Sequence, residues 1–162
     1  MTREPTAWTL PLRWTTVAYL VLAALVALVT NAAFNTRPAI ERSLRAASPQ
    51  LAGDQLQQSV TVGYVLAWLL VAAIVAGAAV LALGAWRGWL WAFWANLVVL
   101  VPGALQALTN ADALASPATQ TEPPSAIAVD LVLSLLALAL LVWFVLAAVR
   151  YGPWATRRSN PG

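Results

Sequence analysis

Residues 62–85 read VGYVLAWLLVAAIVAGAAVLALGA, a stretch of the chain without a single charged side chain. A helix needs about 20 apolar residues to cross a hydrocarbon core of roughly 30 Å, and this stretch meets that length. A buried strand is a poor alternative, because strands run to about 8 residues and this segment is rich in Ala and Leu. The stretch therefore predicts a transmembrane helix.

Three further apolar stretches have the length of a span, at residues 15–34, 89–108 and 126–149. The first could instead be a secretory signal peptide, but its apolar run exceeds the roughly 7–15 residues of a signal-peptide core, which favours a retained helix. Residues 86–88 leave room only for a tight turn between antiparallel helices. We predict an all-α integral membrane protein, an antiparallel four-helix transmembrane bundle that forms a single domain over residues 1–162.

The composition of the whole chain agrees with this fold. Hydrophobic residues make up 61% of the 162 residues and charged residues 9%, whereas soluble domains carry roughly 25% charged residues. Cys and His are both absent, which excludes disulfides, Cys/His zinc sites, thiol nucleophiles and haem ligation by His. We therefore expect no cofactor and no metal. All nine basic residues are Arg, a bias that we take to indicate a GC-rich bacterial genome.

The distribution of Arg predicts the orientation of the chain, because cytoplasmic segments of membrane proteins are enriched in Lys and Arg. With a cytoplasmic N-terminus, six Arg residues fall inside and three outside; the inner ones are Arg3, Arg13, Arg87, Arg150, Arg157 and Arg158, and the outer ones are Arg37, Arg42 and Arg45. This bias predicts a bacterial inner-membrane protein with both termini cytoplasmic. The net charge of +3 is explained by this orienting role, and no nucleic-acid partner is expected.

The first outer loop contains a helical pattern. Arg37, Glu41 and Arg45 recur at i, i+4 spacing, opposite Ile40 and Leu44. Such a segment places charges on one face and apolar side chains on the other. We predict a short amphipathic helix that lies on the outer membrane surface.

The other outer loop, residues 110–125, is predicted to be irregular because it holds three Pro residues, and the basic tail, residues 152–162, is predicted to fray. Eight of the nine Trp residues map to the cytoplasmic half: Trp8, Trp14, Trp86, Trp89, Trp91, Trp94, Trp143 and Trp154. Trp prefers the membrane interface because its ring is apolar and its N–H needs a polar partner. We interpret the cluster as an interfacial belt, with a stacking platform for a lipid or quinone headgroup as the alternative.

Small residues predict where helices approach each other. In the span at 62–85, Gly77 ends a small-x-x-x-small pattern, which is typical of close helix packing. We expect substitution of Gly77 to disturb the packing and substitution of Gly84, near the end of the span, to be tolerated better.

Polar side chains concentrate toward the outer ends of the spans. Together they predict a small hydrated vestibule that opens outward, formed by Asn31, Asn96, Gln106, Asn110, Asp130 and Ser134. An ionisable group at membrane depth is by default a functional hypothesis. Asp130, however, lies only one turn into its span, where the positive end of the helix dipole favours a carboxylate. We favour a structural role for it over ion or proton handling.

Motifs for catalysis are absent from the sequence: there is no HExxH, GxSxG or P-loop, and no intramembrane pair of carboxylates. We therefore expect a protein that is not an enzyme. The hypothesis is a non-catalytic accessory or assembly subunit of a bacterial membrane complex, with the lipid bilayer and a membrane protein or a second copy of the chain as partners. The alternative is a small transporter or channel that uses the vestibule around Asp130.

Overall fold

The computed structural model describes residues 3–48, 50, 53–115 and 124–158. The elements in chain order are strand β1 (Arg3–Pro5), helices α1 (Thr9–Phe34), α2 (Arg37–Ala47), α3 (Gly53–Arg87), α4 (Leu90–Ala115) and α5 (Pro124–Tyr151), a 3-10 turn (Pro153–Ala155) and strand β2 (Thr156–Arg158). About 90% of the described residues are helical. The predicted helical class is therefore confirmed.

Four of the described helices are long and apolar enough to cross a membrane, at Thr9–Phe34, Gly53–Arg87, Leu90–Asp112 and Ile127–Tyr151. Each contains most or all of one predicted span, and the protein is a membrane protein by this measure. The helices extend beyond the predicted apolar runs because capping and polar end residues continue a helix past the hydrocarbon core.

Two expectations about irregular segments are wrong. Residues 110–115, predicted as loop, continue helix α4, which also runs through Pro102 without ending. Residues 124–125 of that predicted loop begin helix α5, and residues 116–123 lie outside the described residues. The tail was expected to fray, yet residues 153–158 form the 3-10 turn and strand β2; residues 159–162 lie outside the described residues.

A glycine ends α3 and turns the chain into α4. Gly88 has φ +69°, a left-handed conformation that favours glycine. The Gly88 amide donates to the carbonyl of Ala85 at 3.0 Å and the Trp89 amide donates to the carbonyl of Gly84 at 2.9 Å. This pair of bonds is a Schellman motif, which satisfies the last carbonyls of a helix. The short connection predicted at residues 86–88 is thus a capped helical turn.

Two compact units make up the chain, one formed by the residues up to Val21 together with those from Val80 onward, and the other by Leu22–Ala79. The prediction of one four-span domain stays a prediction. In the first unit, α4 and α5 are antiparallel neighbours. Phe93 stacks on Phe144 with ring centroids 5.0 Å apart, and a Cβ at Gly103 would lie 3.3 Å from the Cβ of Ala137.

In the second unit, α2 contacts α3 at two places. A Cβ at Gly63 would lie 3.3 Å from Cγ2 of Ile40, so the glycine marks a close approach of the two helices. The guanidinium of Arg37 lies 5.3 Å from the ring centroid of Tyr64, and Glu41 pairs with Arg45 at 2.6 Å. Ile40 and Arg37 of α2 thus contact α3, while Glu41 and Arg45 pair along the surface of α2.

The expectation about Gly84 is wrong, and no close approach is seen at Gly77 within the described part of its own unit. Among the described residues, nothing lies within 4 Å of a Cβ built at Gly77. A Cβ at Gly84 would lie 2.6 Å from the Cβ of Ala92, which no real pair of atoms tolerates without a shift. The tight approach is thus at Gly84, because the two-residue connection to α4 forces the helices together there.

Candidate functional site

Three of the predicted vestibule residues meet between α4 and α5. The Asn110 amide nitrogen donates to the Ser134 hydroxyl at 3.1 Å. The Ser134 hydroxyl in turn donates to the backbone carbonyl of Asp130, one turn earlier in α5. Asn110 and Asp130 are half-buried and Ser134 is buried. The chain of bonds therefore ends on a backbone atom and leaves the Asp130 carboxylate out of it.

Asn96 and Gln106 lie in the same helix but in different surroundings. Asn96 is 1% exposed, and its side-chain nitrogen donates to the carbonyl of Ala92 at 2.7 Å. Gln106 is exposed. At about 100° per residue, ten residues turn a helix through nearly three turns and leave the two side chains about 80° apart. This offset explains why one side chain is buried and the other is not.

Asn31 belongs to the second unit. It is 3% exposed, and its side-chain oxygen accepts a hydrogen bond of 2.8 Å from the side-chain nitrogen of Asn35. Its own side-chain nitrogen is buried without a hydrogen-bond partner among the described residues. A buried amide in this state is unusual and calls for an explanation, such as water, an ion or a partner group. A common vestibule for all six residues stays a prediction.

The opposite end of the α4–α5 pair carries an aromatic cluster around Trp154. This side chain is 1% exposed; its ring lies edge-on to Phe93 at 5.4 Å and to Phe144 at 5.6 Å between centroids. Its indole N–H donates to the carbonyl of Trp89 at 2.8 Å. The expectation that Trp154 belongs to an interfacial belt is therefore wrong: it is a core residue. Trp14, Trp86, Trp91 and Trp94 are each about half or more exposed, as a belt requires.

The backbone at Trp154 and the following residue is in the left-handed region, with φ +55° and +52°. A bulky residue with positive φ is a genuine outlier, and such conformations persist only where the surroundings fix them. Here the buried ring and the hydrogen bond to Trp89 provide that fixation. Packing of the indole thus outweighs the local backbone preference.

The two ends of the chain are joined at this cluster. Strands β1 and β2 pair antiparallel, with Glu4 opposite Arg157. The hydroxyls of Thr6 and Thr9 both donate to the carbonyl of Ala155, at 2.6 and 2.9 Å. Thr9 is 2% exposed, so its hydroxyl needs such a partner. We call the assembly of β1, Thr6, Thr9, the 3-10 turn and β2 the terminal clasp.

Cations stack on aromatic rings around the terminal clasp. Arg150 lies 6.0 Å from the ring centroid of Trp8, and Arg87 lies 5.5 Å from that of Trp89. Arg13 lies 6.0 Å from the Trp154 centroid. Cation–π contacts of this kind hold a guanidinium on an apolar surface. The cluster therefore presents positive charge at one end of the helices, above a closed aromatic core.

Sequence reasoning missed the terminal clasp, although one signal was present. Gly152-Pro153 directly after an apolar span punctuates the chain as a turn, and a Trp follows it at once. A turn that reverses the chain after a span brings the next residues back toward the helices, and a Trp at that position can pack against them. The pairing with residues 3–5 has no such local signal, because it joins segments at opposite ends of the sequence.

No protein-family description, no curated protein and no solved structure matches this chain.

Proposed function

We propose that this chain is a non-catalytic accessory or assembly subunit of a bacterial membrane complex. The observation that carries the proposal is the bonding of polar side chains inside the spans. Asn96 bonds to its own helix, and Asn110, Ser134 and the Asp130 carbonyl bond to one another. The Asn110–Ser134 bond joins α4 to α5, and amide and hydroxyl groups of membrane helices form interhelical links of this kind. The Asn96 bond stays within α4. A translocation pathway would instead need such groups directed at water or substrate.

The proposal places the protein in the inner membrane with both termini in the cytoplasm. The Arg bias supports this orientation, and the pairing of β1 with β2 agrees with termini on one side. Single-Cys variants test it cleanly because the chain has no native Cys. A membrane-impermeant maleimide added to intact spheroplasts is expected to label Ser48→Cys and to spare Ser159→Cys. Labelling of Ser159→Cys alone would invert the orientation.

The second candidate function is a small transporter or channel. The specific observation in its favour is the side-chain nitrogen of Asn31, which is buried without a hydrogen-bond partner among the described residues. The side chain of Gln106 is exposed, so its amide group is also available to contact water or a substrate. On this account the carboxylate of the half-buried Asp130, which takes no part in the bonds of Asn110 and Ser134, would bind the ion or proton.

Ion flux in proteoliposomes discriminates between the two functions. A pH-sensitive dye is enclosed in the vesicles, and a potassium diffusion potential drives proton entry through the wild type, Asp130→Asn and Asp112→Asn. Asp112 is the matched control because it is an exposed carboxylate in α4. The accessory-subunit function predicts that all three leak like protein-free vesicles. Conduction by the wild type and Asp112→Asn, abolished in Asp130→Asn, would establish the transporter instead.

The assembly role itself is tested in native membranes. The tagged chain is solubilised in a mild detergent and separated by native electrophoresis. An accessory subunit is expected to migrate in a band larger than its own oligomers, with other polypeptides at a fixed ratio to it. Migration only as the isolated chain, in every mild detergent tried, would contradict the proposal.

A further inference from the structure

A half-open cavity of about 430 Å³ lies beside the terminal clasp. Its walls include Leu10 and Arg13 of α1, Gly88 of the α3–α4 turn, and Trp154 and Thr156 of the clasp. The cavity belongs to the first unit throughout. Its volume is that of a small-molecule site, and its position at the end of α1 places it near the membrane–water boundary.

Most hydrogen-bond donors on these walls are already used. The hydroxyl of Thr156 donates to the carbonyl of Pro153 at 2.8 Å, and the indole of Trp154 donates to Trp89 at 2.8 Å. The hydroxyl of Thr9, which also lines the cavity, donates to Ala155 at 2.9 Å. The side-chain donors on these walls are thus already used, with one exception.

Arg13 is that exception. Among the described residues, its buried Nε has no hydrogen-bond partner and no carboxylate lies within 4.0 Å of its guanidinium. It is held in place from two sides, by the Trp154 ring at 6.0 Å and by Gly88, where any Cβ would collide with the guanidinium. A fixed guanidinium with free donors in a partly enclosed site is suited to an anion with several oxygens, since its fork matches phosphate.

We propose that this cavity binds a phosphate group through Arg13. The source favoured by the walls is the headgroup of an anionic phospholipid, because Leu10, 64% exposed, provides an apolar flank for an acyl chain next to the cation. Free inorganic phosphate offers the same oxygens without that chain. A bound lipid headgroup would then fill the cavity beside the terminal clasp at the membrane surface.

Thermal unfolding of the full chain in a neutral detergent tests the proposal. The probes are phosphatidylglycerol, phosphatidylcholine and inorganic phosphate, the last against chloride at equal ionic strength. Phosphatidylglycerol is expected to raise the unfolding midpoint of the wild type in a saturable way, and phosphatidylcholine to do so much less. Arg13→Gln is expected to weaken the apparent affinity by about tenfold or more, since a charge-assisted bond to phosphate is lost.

The matched control is Arg87→Gln, which removes the same charge at the same end of the helices but outside the cavity, and is expected to keep the lipid response. A second variant covers the case that Arg13→Gln does not fold. Leu10→Glu places a carboxylate one turn before Arg13, where it pairs with the guanidinium and favours the helix start. It is expected to abolish the response to both phosphatidylglycerol and inorganic phosphate. Leu10→Gln removes the apolar flank but leaves the guanidinium unpaired, so it is expected to weaken the response to phosphatidylglycerol only in part.

The comparison of the probes distinguishes a lipid headgroup from soluble phosphate. A response to phosphatidylglycerol that inorganic phosphate does not reproduce assigns the site to a lipid headgroup; an equal response to inorganic phosphate at matched concentration assigns it to a soluble phosphate. Absence of any response to either probe in the wild type would overturn the proposal. So would an unchanged response in Arg13→Gln or in Leu10→Glu.

Discussion

At the end of the α4–α5 pair where α4 begins, the rings of Phe93, Phe144 and Trp154 fill the space between the helices, with centroids 5.0–5.6 Å apart. At the opposite end an amide–hydroxyl bond of 3.1 Å joins Asn110 to Ser134. Dispersion contacts of a closed aromatic cluster are numerous and additive, whereas one polar bond in a membrane competes with other partners. The comparison implies that the aromatic end determines stability and that the polar end contributes little.

Removal of Trp154 is expected to have the largest effect. Trp154→Ala leaves a cavity among Phe93 and Phe144 and removes the hydrogen bond to Trp89, so it should lower the free energy of unfolding by about 3–5 kcal/mol. The measurement is thermal or denaturant unfolding in detergent. Trp86→Ala is the control, because Trp86 is 63% exposed. Equal losses in the two variants would mean that Trp154 is an interfacial residue after all.

The next effect in size concerns the glycines of α3. Gly84→Leu must push α3 away from Ala92 and should destabilise the protein by about 1–3 kcal/mol. Gly77→Leu is the paired control and should be nearly neutral, because no described residue of its own unit lies within 4 Å of a Cβ built at Gly77. The same unfolding assay ranks the two variants. The reverse order would restore the packing face that the small-residue pattern predicts.

The smallest effect is expected at the polar end. A double-mutant cycle of Asn110→Ala and Ser134→Ala should give a coupling free energy of about 0.6 kcal/mol, the average for side-chain hydrogen bonds in membrane helices. Unfolding of the two single variants and the double variant supplies the cycle. A coupling near 2 kcal/mol or above would make the polar end a major source of stability and end the contrast.

The sequence predicts well the features that depend on a continuous stretch of residues. Four apolar runs predict four spanning helices because length and hydropathy are sufficient. The i, i+4 charges from Arg37 to Arg45 predict a helix in the same way, and α2 covers that segment. Its place on the outer membrane surface stays a prediction.

The features that the sequence does not predict depend on contacts between distant segments. By residue type and position in the sequence, Trp154 cannot be told from a belt residue such as Trp86 or Trp94. Only its burial against Phe93 and Phe144 distinguishes it. Gly77 and Gly84 are likewise alike in sequence, and the turn at Gly88 decides which of them faces a neighbour. Arg13 counts in the sequence as an orienting charge. The sequence cannot show that its buried Nε lacks a hydrogen-bond partner among the described residues or that it lines a cavity, because the cavity is formed by residues from both ends of the chain.

The central claim is that the two ends of the chain meet in the terminal clasp, and a disulfide tests it most directly. Glu4 and Arg157 are opposite each other in the strand pair, a separation that a disulfide can bridge, and the chain has no other Cys. The double variant Glu4→Cys/Arg157→Cys is predicted to form an intramolecular disulfide in high yield under mild oxidation, detected by mass spectrometry. Glu4→Cys/Asp112→Cys, with one Cys near the far end of α4, is predicted not to. Equal yields from the two pairs, or none from the first, would contradict the clasp.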